Sequence, residues 1–444
     1  MTQQTNKRYV AIGLMLFALF FGAGNLIFPS AMGQHAGSNY IWAFIGFCIT
    51  GVGMPLLGIM AMGYSGSANL QEAAGRAHPL YGLFYTIVVY LSIGPCFAIP
   101  RTGTVAFEIG VRPFLGTLDA GVSQIAFLVL FFLVTFWMAA KPNKIVDRIG
   151  KVLTPLLVFA IACLVFQSFN DPLGNPQSPA DAYKTALIAT TQGVLDGYNT
   201  LDLLASLVFA TLVTNFVREG GVTDSRELVS QIYKTGIIAA GLLGVIYFFI
   251  AKIGADSVAA IGVQETGASV LAESAKILFG SAGAIVLSVI VLLACLTTSI
   301  GLVTSCASYF MMLTKKFSYI TWCVLFTVVS FLIALFGLKT IIVNTIPVLM
   351  FSYPLAIILV VLLFTNNLFG GRQCVYAWTT AFTFVVALVQ GLETANISLG
   401  SFGETLHAVV PFWSSGLGWI SFAIVGYVIG LIWSRVVPAK QVAA

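Results

Sequence analysis

Two short polar interruptions stand inside long apolar runs of the chain, and both carry residues that could bind a small ligand. The first spans 22–25 and reads Gly-Ala-Gly-Asn, with a proline close behind it at position 29. The second spans 195–200 and reads Leu-Asp-Gly-Tyr-Asn-Thr. Hydrocarbon offers no partner to a freed backbone N–H or C=O, so a helix in lipid normally runs unbroken. Two interruptions at bilayer depth therefore predict backbone groups that face a cavity and bind a ligand there.

The first interruption offers groups of both polarities. Gly22 and Gly24 let the backbone leave helical geometry and let a ligand approach the main chain. The N–H groups that begin the following half-helix favour a carboxylate. The carbonyls that end the preceding half-helix, around Ala18 to Phe21, suit a small hard cation. The alternative is a close contact between helices that uses the same small residues.

The second interruption offers Tyr198, Asn199 and Thr200, with an acid deeper in the apolar run at Asp202. Ionisable groups within a bilayer are costly and usually functional. Asp202 could orient the interruption through hydrogen bonds, balance a cation or take a proton. The alternative is an acid satisfied by packing contacts that has no part in ligand binding.

Two further spans carry polar residues at helical spacing. Ala294, Thr297 and Thr298 follow i, i+3, i+4 spacing and share one face, so a carbonyl and two hydroxyls form a plausible oxygen set for an alkali cation. Hydroxyls in membrane helices also bond to the carbonyl one turn back, which is the simpler reading. In an earlier span, Arg101 and Glu108 lie two turns apart on nearly one face. We interpret them as members of a gating or proton-linked network, with a purely structural role as the alternative.

Composition excludes a water-soluble fold. The 444 residues are 59% hydrophobic and 8% charged, with a mean hydropathy of +0.97, whereas soluble domains carry roughly 25% charge. The long apolar runs predict an all-α integral membrane protein of about 12 spans of roughly 20 residues each. The net charge of +5 gives no reason to expect nucleic acid. A Walker-type glycine loop and an acid or metal cluster are both missing from the sequence, so we do not expect an enzyme or direct nucleotide drive.

The spans form one membrane domain, 1–444, whose order fits two inverted halves. We place them near 8–34, 40–63, 79–110, 121–140, 149–169, 184–215, 233–254, 277–313, 318–337, 340–366, 374–391 and 412–435. The interruptions fall in the first span of each group of five, which predicts repeats at 1–170 and 184–366, with two extra helices in 374–435. Broken helices at matching places in two halves are typical of a secondary transporter.

The basic residues fix an orientation with both termini in the cytoplasm. Of the 21 Lys and Arg residues, Arg101 lies within a span and five fall in predicted outer segments. Those five are Arg112, Lys184, Lys252, Lys276 and Lys339. The other basic residues lie in predicted inner segments, which is the bias that positive residues show toward the cytoplasm.

Three segments resemble a known family. They are 20–29 (FFGAGNLIFP), 93–108 (IGPCFAIPRTGTVAFE) and 197–208 (GYNTLDLLASLV). They are similar to signature segments of the bacterial branched-chain amino acid:cation symporters, of the amino acid–polyamine–organocation superfamily, and the likeness covers nearly the whole chain. The resemblance implies the leucine-transporter fold, with a 5+5 inverted repeat, broken helices 1 and 6, and two C-terminal helices.

The resemblance also implies roles for the residues above. The amides of 22–25 would hold a substrate carboxylate, and carbonyls of the second interruption, with Tyr198 nearby, would meet its ammonium. The substrate-binding set is Gly22, Ala23, Gly24, Asn25, Tyr198, Asn199 and Thr200. The sodium set is Ala18, Phe21, Ala294, Thr297 and Thr298, with Ser299, Thr298 and the carbonyl of Cys295 as the competing register. The gating or proton-linked set is Arg101, Glu108 and Asp202.

The hypothesis is a secondary active symporter of the bacterial plasma membrane. It would import leucine, isoleucine and valine with a cation, sodium favoured over proton, by alternating access. The expected partners are the amino acid and membrane lipid. We expect no nucleic acid, no obligatory protein partner and no cofactor besides the coupling ion. The alternatives are a proton-coupled carrier for another small neutral amino acid and a channel, which would need a continuous polar path.

Overall fold

The computed structural model of the chain describes residues 2–116, 118–141, 172–219, 221–222 and 224–436, with scattered positions from 155 to 170. Every regular element in these ranges is helical. The α-helices are α1 Thr2–Phe20, α2 Ala23–Ala36, α3 Tyr40–Cys48, α4 Met54–Ser65, α5 Leu70–Gly75, α6 Pro79–Leu91, α7 Ala98–Gly110, α8 Ala120–Ala139, α9 Ala186–Tyr198, α10 Asp202–Glu219, α11 Ser225–Ile261, α12 Gly267–Leu313, α13 Tyr319–Ala334, α14 Leu338–Thr365, α15 Gln373–Thr394, α16 Gly400–Val409 and α17 Trp419–Val436.

The helices agree with the predicted spans. Each predicted span coincides with a helix or with two helices in series, except 149–169, which the structure describes only at scattered positions. By length and apolarity, eight helical segments of the described chain can cross a membrane, or up to nine when a bent pair counts as one span. Two more apolar helices, Tyr9–Phe20 and Tyr319–Ala334, are shorter. The prediction of an all-α, multi-pass membrane protein is confirmed.

Both predicted interruptions are present as breaks in helices. The first lies between α1 and α2, at Phe21 and Gly22. The second lies between α9 and α10, whose axes differ in direction by 45°. Its turn contains Leu201 with a φ of 67°, a left-handed backbone that bulky residues rarely adopt.

Two regions differ from the predicted boundaries. The last span begins at Trp419 rather than near 412, and the additional short helix α16 precedes it. Phe412 follows Pro411 and has a φ of 62°, so a non-helical turn separates the two helices. The segment between the predicted spans 233–254 and 277–313 is largely helical, because α11 runs to Ile261 and α12 begins at Gly267. The Thr266 side chain caps α12 by accepting a hydrogen bond from the N–H of Ser269.

Backbone contacts divide the chain into two compact units. The described residues of the first unit lie within Met1–Gly53, Leu91–Asp202 and Lys234–Ile342. Those of the second unit lie within Met54–Tyr90, Leu203–Tyr233 and Val343–Ala444. Within the first unit, α3 and α9 cross closely at Gly46 and Gly193. The predicted repeats at 1–170 and 184–366 stay a prediction.

The second unit is held by small residues and buried hydroxyls. Helices α15 and α17 pack closely where Gly426 and Gly430 face α15. The hydroxyl of Tyr85, which is fully buried, donates to the carbonyl of Ser352 at 3.0 Å. These contacts place polar groups against partners in the protein rather than against lipid.

Candidate substrate and ion site

The first break leaves amides free of helical partners. The N–H of Phe21 donates to the carbonyl of Phe17 at 2.7 Å, so the hydrogen bonding of α1 ends there. The N–H of Gly22 donates to Oδ1 of Asn25 at 2.9 Å. Ala23 and Gly24 stand in the first turn of α2, where N–H groups have no acceptor within the helix. These two amides can receive an anion, and the positive end of the helix dipole favours one.

The side chain of Asn25 connects the two breaks. Its Nδ2 donates to Oδ2 of Asp202 at 2.7 Å and also contacts the hydroxyl of Tyr247. That hydroxyl donates to the same carboxylate oxygen at 2.8 Å. All three residues are buried. The Asn25 side chain is therefore held by protein groups, and its backbone is the part that faces the break.

Arg101 donates hydrogen bonds to two carbonyls that the resemblance assigned to the binding of a substrate ammonium. Its Nη1 donates to the carbonyl of Asn199 at 2.7 Å, and its Nη2 donates to that of Thr200 at 3.3 Å. The guanidinium also lies 5.0 Å from the ring centroid of Phe28. A Cβ on Gly24 would come within 2.7 Å of Nη2, so the glycine allows this approach. A buried cation thus caps the broken end of α9, where the helix dipole is negative.

The remaining carbonyls of the second break are bonded within the chain. The carbonyls of Asp196, Gly197 and Tyr198 accept from the N–H groups three residues later, at 3.1, 3.3 and 3.1 Å respectively. The hydroxyl of Thr200 donates to Gly197 at 2.9 Å. The Tyr198 side chain is 1% exposed. Each carbonyl from 196 to 200 therefore already accepts a hydrogen bond, although a carbonyl oxygen has a second lone pair.

The hydroxyls of α12 differ in their partners. Thr297 Oγ1 donates to the carbonyl of Ala294 at 2.9 Å. The hydroxyls of Thr298 and Ser299 are buried and make no hydrogen bond with any described residue. A Cβ on Gly22 would lie 2.7 Å from Thr298 Oγ1, which places Thr298 directly against the first break. Buried hydroxyls nearly always have a hydrogen-bond partner, so two adjacent hydroxyls without one need an explanation.

Two other acids have protein partners of their own. Glu108 forms an ion pair with Arg112, one turn further along, at 2.6 Å. Asp196 accepts from the phenol of Tyr183 at 2.8 Å and from the amide of Gln192 at 3.0 Å. Burial raises the pKa of Tyr183, which keeps this phenol protonated and able to donate.

Several groups at the site were missed by sequence reasoning. Tyr247 lies within a uniformly apolar stretch and gives no periodic signal. The left-handed backbone of Leu201 is likewise invisible in the sequence, because glycine or asparagine would be expected there. The capping role of Arg101 depends on which side of α7 faces the second break, and this is set by tertiary packing.

The fold and the paired breaks place the protein in one structural class: all-helical membrane proteins with multiple spans, two of which are broken. The fold is similar to that of Mhp1, a nucleobase-cation-symport-1 family transporter, with a TM-score of 0.64 and 16% sequence identity over 98% of this chain and 94% of that one. It is also similar to MhsT, solved with L-phenylalanine, with a TM-score of 0.58 and 16% identity over 96% and 98%. At such identities the likeness concerns the fold alone.

Sequence comparison gives the family. Residues 5–437 match the branched-chain amino acid transport proteins. The chain is 45% identical to the branched-chain amino acid permease BraB of Bacillus subtilis (strain 168), over 98% of this chain and 97% of that one. It is 36% identical to the branched-chain amino acid transport system 2 carrier protein of Pseudomonas aeruginosa, over the full length of both. The chain therefore belongs to the branched-chain amino acid transport protein family, and the predicted family and the prediction of a transporter rather than an enzyme are confirmed.

Proposed function

We propose that the protein is a plasma-membrane symporter that imports leucine, isoleucine and valine together with a sodium ion by alternating access. The observation that carries the sodium assignment is the pair of buried hydroxyls on Thr298 and Ser299, which lack partners in the described chain. They stand beside a broken helix end, where freed carbonyls provide further hard oxygen ligands. An alkali cation would bind the lone pairs of these hydroxyl oxygens.

The geometry favours the competing register for this ion. Cys295, Thr298 and Ser299 follow i, i+3, i+4 spacing, so a carbonyl and two hydroxyls share one face. Thr297, in the first register, already uses its hydroxyl on the carbonyl of Ala294. The proposed cation ligands are therefore the carbonyls of Ala18, Phe21 and Cys295 with the hydroxyls of Thr298 and Ser299.

The proposed substrate site begins at the amides of Ala23 and Gly24, which would hold the carboxylate. The ammonium would bind near the second break, whose carbonyls at Asn199 and Thr200 accept from Arg101. Arg101 is then a gating residue: it holds the break while no ammonium is present and yields part of its bonding when one arrives. The aliphatic side chain would lie in an apolar pocket beside Tyr198.

A second candidate is a proton-coupled carrier, and one observation favours it. Asp202 is a buried carboxylate that accepts two hydrogen bonds from Asn25 and Tyr247 on one oxygen. An acid linked to both breaks is well placed to carry a proton between two states. In the sodium-coupled proposal, the same acid orients the breaks and keeps its charge throughout.

The experiment is a sodium titration of leucine uptake in proteoliposomes with three matched variants. Thr298→Ala and Ser299→Ala should each raise the sodium concentration for half-maximal uptake by about tenfold, the effect of losing roughly 1.4 kcal/mol of ion binding. Thr297→Ala, the control, should stay within about twofold because its hydroxyl has another partner. An effect confined to Thr297→Ala would support the first register. Unchanged titrations in all three would contradict the sodium site.

A further inference from the structure

Helices α8 and α13 of the first unit leave an apolar groove between them. Its volume is about 300 Å³. The lining side chains include Val129, Phe132, Leu133, Phe136, Val324 and Val328. Several of them are well exposed, with Leu133 at 59% and Val328 at 49%. In a membrane protein such a surface faces hydrocarbon, so the groove offers an acyl chain an apolar surface.

Three lysines stand at one end of this groove. The hydroxyl of Tyr319, at the start of α13, donates to the carbonyl of Ala139, at the end of α8, at 2.9 Å. This bond joins the two helix ends. Lys141 follows two residues after Ala139, and Lys315 and Lys316 precede Tyr319 by a few residues; all three lysines are exposed. The sequence has no Asp or Glu in 120–141 or in 314–338, so this positive charge has no acidic neighbour within either segment.

We propose that this groove is a binding site for an anionic phospholipid. One acyl chain lies between α8 and α13, and the phosphate of the headgroup binds among Lys141, Lys315 and Lys316. Basic pockets between spans select anionic headgroups, because each lysine near the surface adds roughly 1 kcal/mol of attraction. A zwitterionic lipid could fill the apolar part but would gain little from three cations. The basic end coincides with the predicted cytoplasmic side, where the inner leaflet supplies anionic lipid.

The headgroup is tested by lipid retention on the purified full-length protein. Native mass spectrometry would compare bound phosphatidylglycerol with bound phosphatidylcholine after equilibration in an equal mixture. The wild type should prefer phosphatidylglycerol. The triple variant Lys141→Gln, Lys315→Gln, Lys316→Gln should reduce that preference by at least about fivefold, the effect of a single lysine. A matched triple variant, Lys184→Gln, Lys276→Gln, Lys339→Gln, removes equal charge elsewhere and should keep it.

The acyl chain is tested by filling the groove. Val328→Trp places an indole in it and should abolish the retained phosphatidylglycerol. Leu325→Trp is the control, since Leu325 is 46% exposed on the same helix but does not line the groove. Equal retention of the two lipids, equal loss in both lysine variants, or full binding by Val328→Trp would each overturn the proposal. The readout requires no transport, so it stands apart from the proposed symport.

Discussion

Asp202 is the residue on which the two breaks converge, because donors from α2 and α11 meet on one of its oxygens. Nδ2 of Asn25 and the hydroxyl of Tyr247 both donate to Oδ2. A buried carboxylate is tolerated only where such donors replace its water. Each hydrogen bond to a charged group contributes about 1.5–3 kcal/mol, so this cluster holds α2 and α11 against the residue that ends the second break.

Replacing the charge at this position should impair transport more than removing one donor. Asp202→Asn turns one acceptor oxygen into a donor facing other donors, so we expect leucine uptake to fall by at least about tenfold. Tyr247→Phe keeps the ring and the Asn25 donor, and uptake should fall less than about fivefold. The measurement is the initial rate in proteoliposomes at equal protein. If Asp202→Asn took up leucine at the wild-type rate, the carboxylate would have a packing role and no role in transport.

The residue types at the site could be predicted from the sequence, but their pairings could not. The glycines of the first break, Asp202 and the hydroxyl cluster of α12 are all evident from composition and spacing. The sequence could not choose between Thr297 and Ser299, because both hydroxyls recur at helical spacing, and the bond from Thr297 to the carbonyl of Ala294 depends on how the side chains pack. Tyr247 gave no signal, since an isolated tyrosine in an apolar run usually packs with its hydroxyl satisfied locally.

At the scale of the helices, Arg101 joins α7 to the broken end of α9. Its planar guanidinium reaches the carbonyls of both Asn199 and Thr200, and a lysine has no such fork. Arg101→Lys should therefore keep the charge but lose one of the two contacts. We expect it to weaken leucine binding less than Arg101→Gln, which removes the cation that holds the broken end of α9 in place. The comparison is the leucine concentration for half-maximal uptake, and equal values for wild type and Arg101→Gln would contradict the gating role.

A single methyl group added at the crossing of α3 and α9 should lower the stability of the protein. A Cβ on Gly193 would lie 2.8 Å from the carbonyl carbon of Ala43 and 3.0 Å from the backbone nitrogen of Phe47. The helices would have to separate, so Gly193→Ala should lower the free energy of unfolding by about 1–3 kcal/mol. Gly241→Ala on α11 is the matched control, because its Cβ would meet nothing within 4 Å. Thermal unfolding in detergent measures both, and equal melting temperatures would refute the tight crossing.

Helix positions were more predictable than helix ends. Runs of about 20 apolar residues leave little choice where a membrane is the solvent. Gly193 and Gly46 gave no warning of a close crossing, since glycine is common in membrane helices for several reasons. The late start of α17 at Trp419 depends on the turn around Phe412, whose φ of 62° no sequence pattern predicts.

For the molecule as a whole, the distribution of Lys and Arg predicts the orientation. Ser178 lies in a predicted outer segment and Ser318 is the first residue of a predicted span, where that span leaves an inner segment, and both are exposed. A membrane-impermeant maleimide added to intact cells should label Ser178→Cys above the wild-type background. Ser318→Cys should react only after the membrane is opened. The reverse pattern would place both termini outside and contradict the orientation.

The driving force for leucine accumulation is tested by imposing the sodium and proton gradients separately on proteoliposomes. We expect an inward sodium gradient alone to concentrate labelled leucine, with isoleucine and valine competing for uptake, and we expect a pH gradient alone to concentrate none. Accumulation that follows the pH gradient and ignores sodium would contradict sodium coupling and assign the coupling to a proton carried by Asp202.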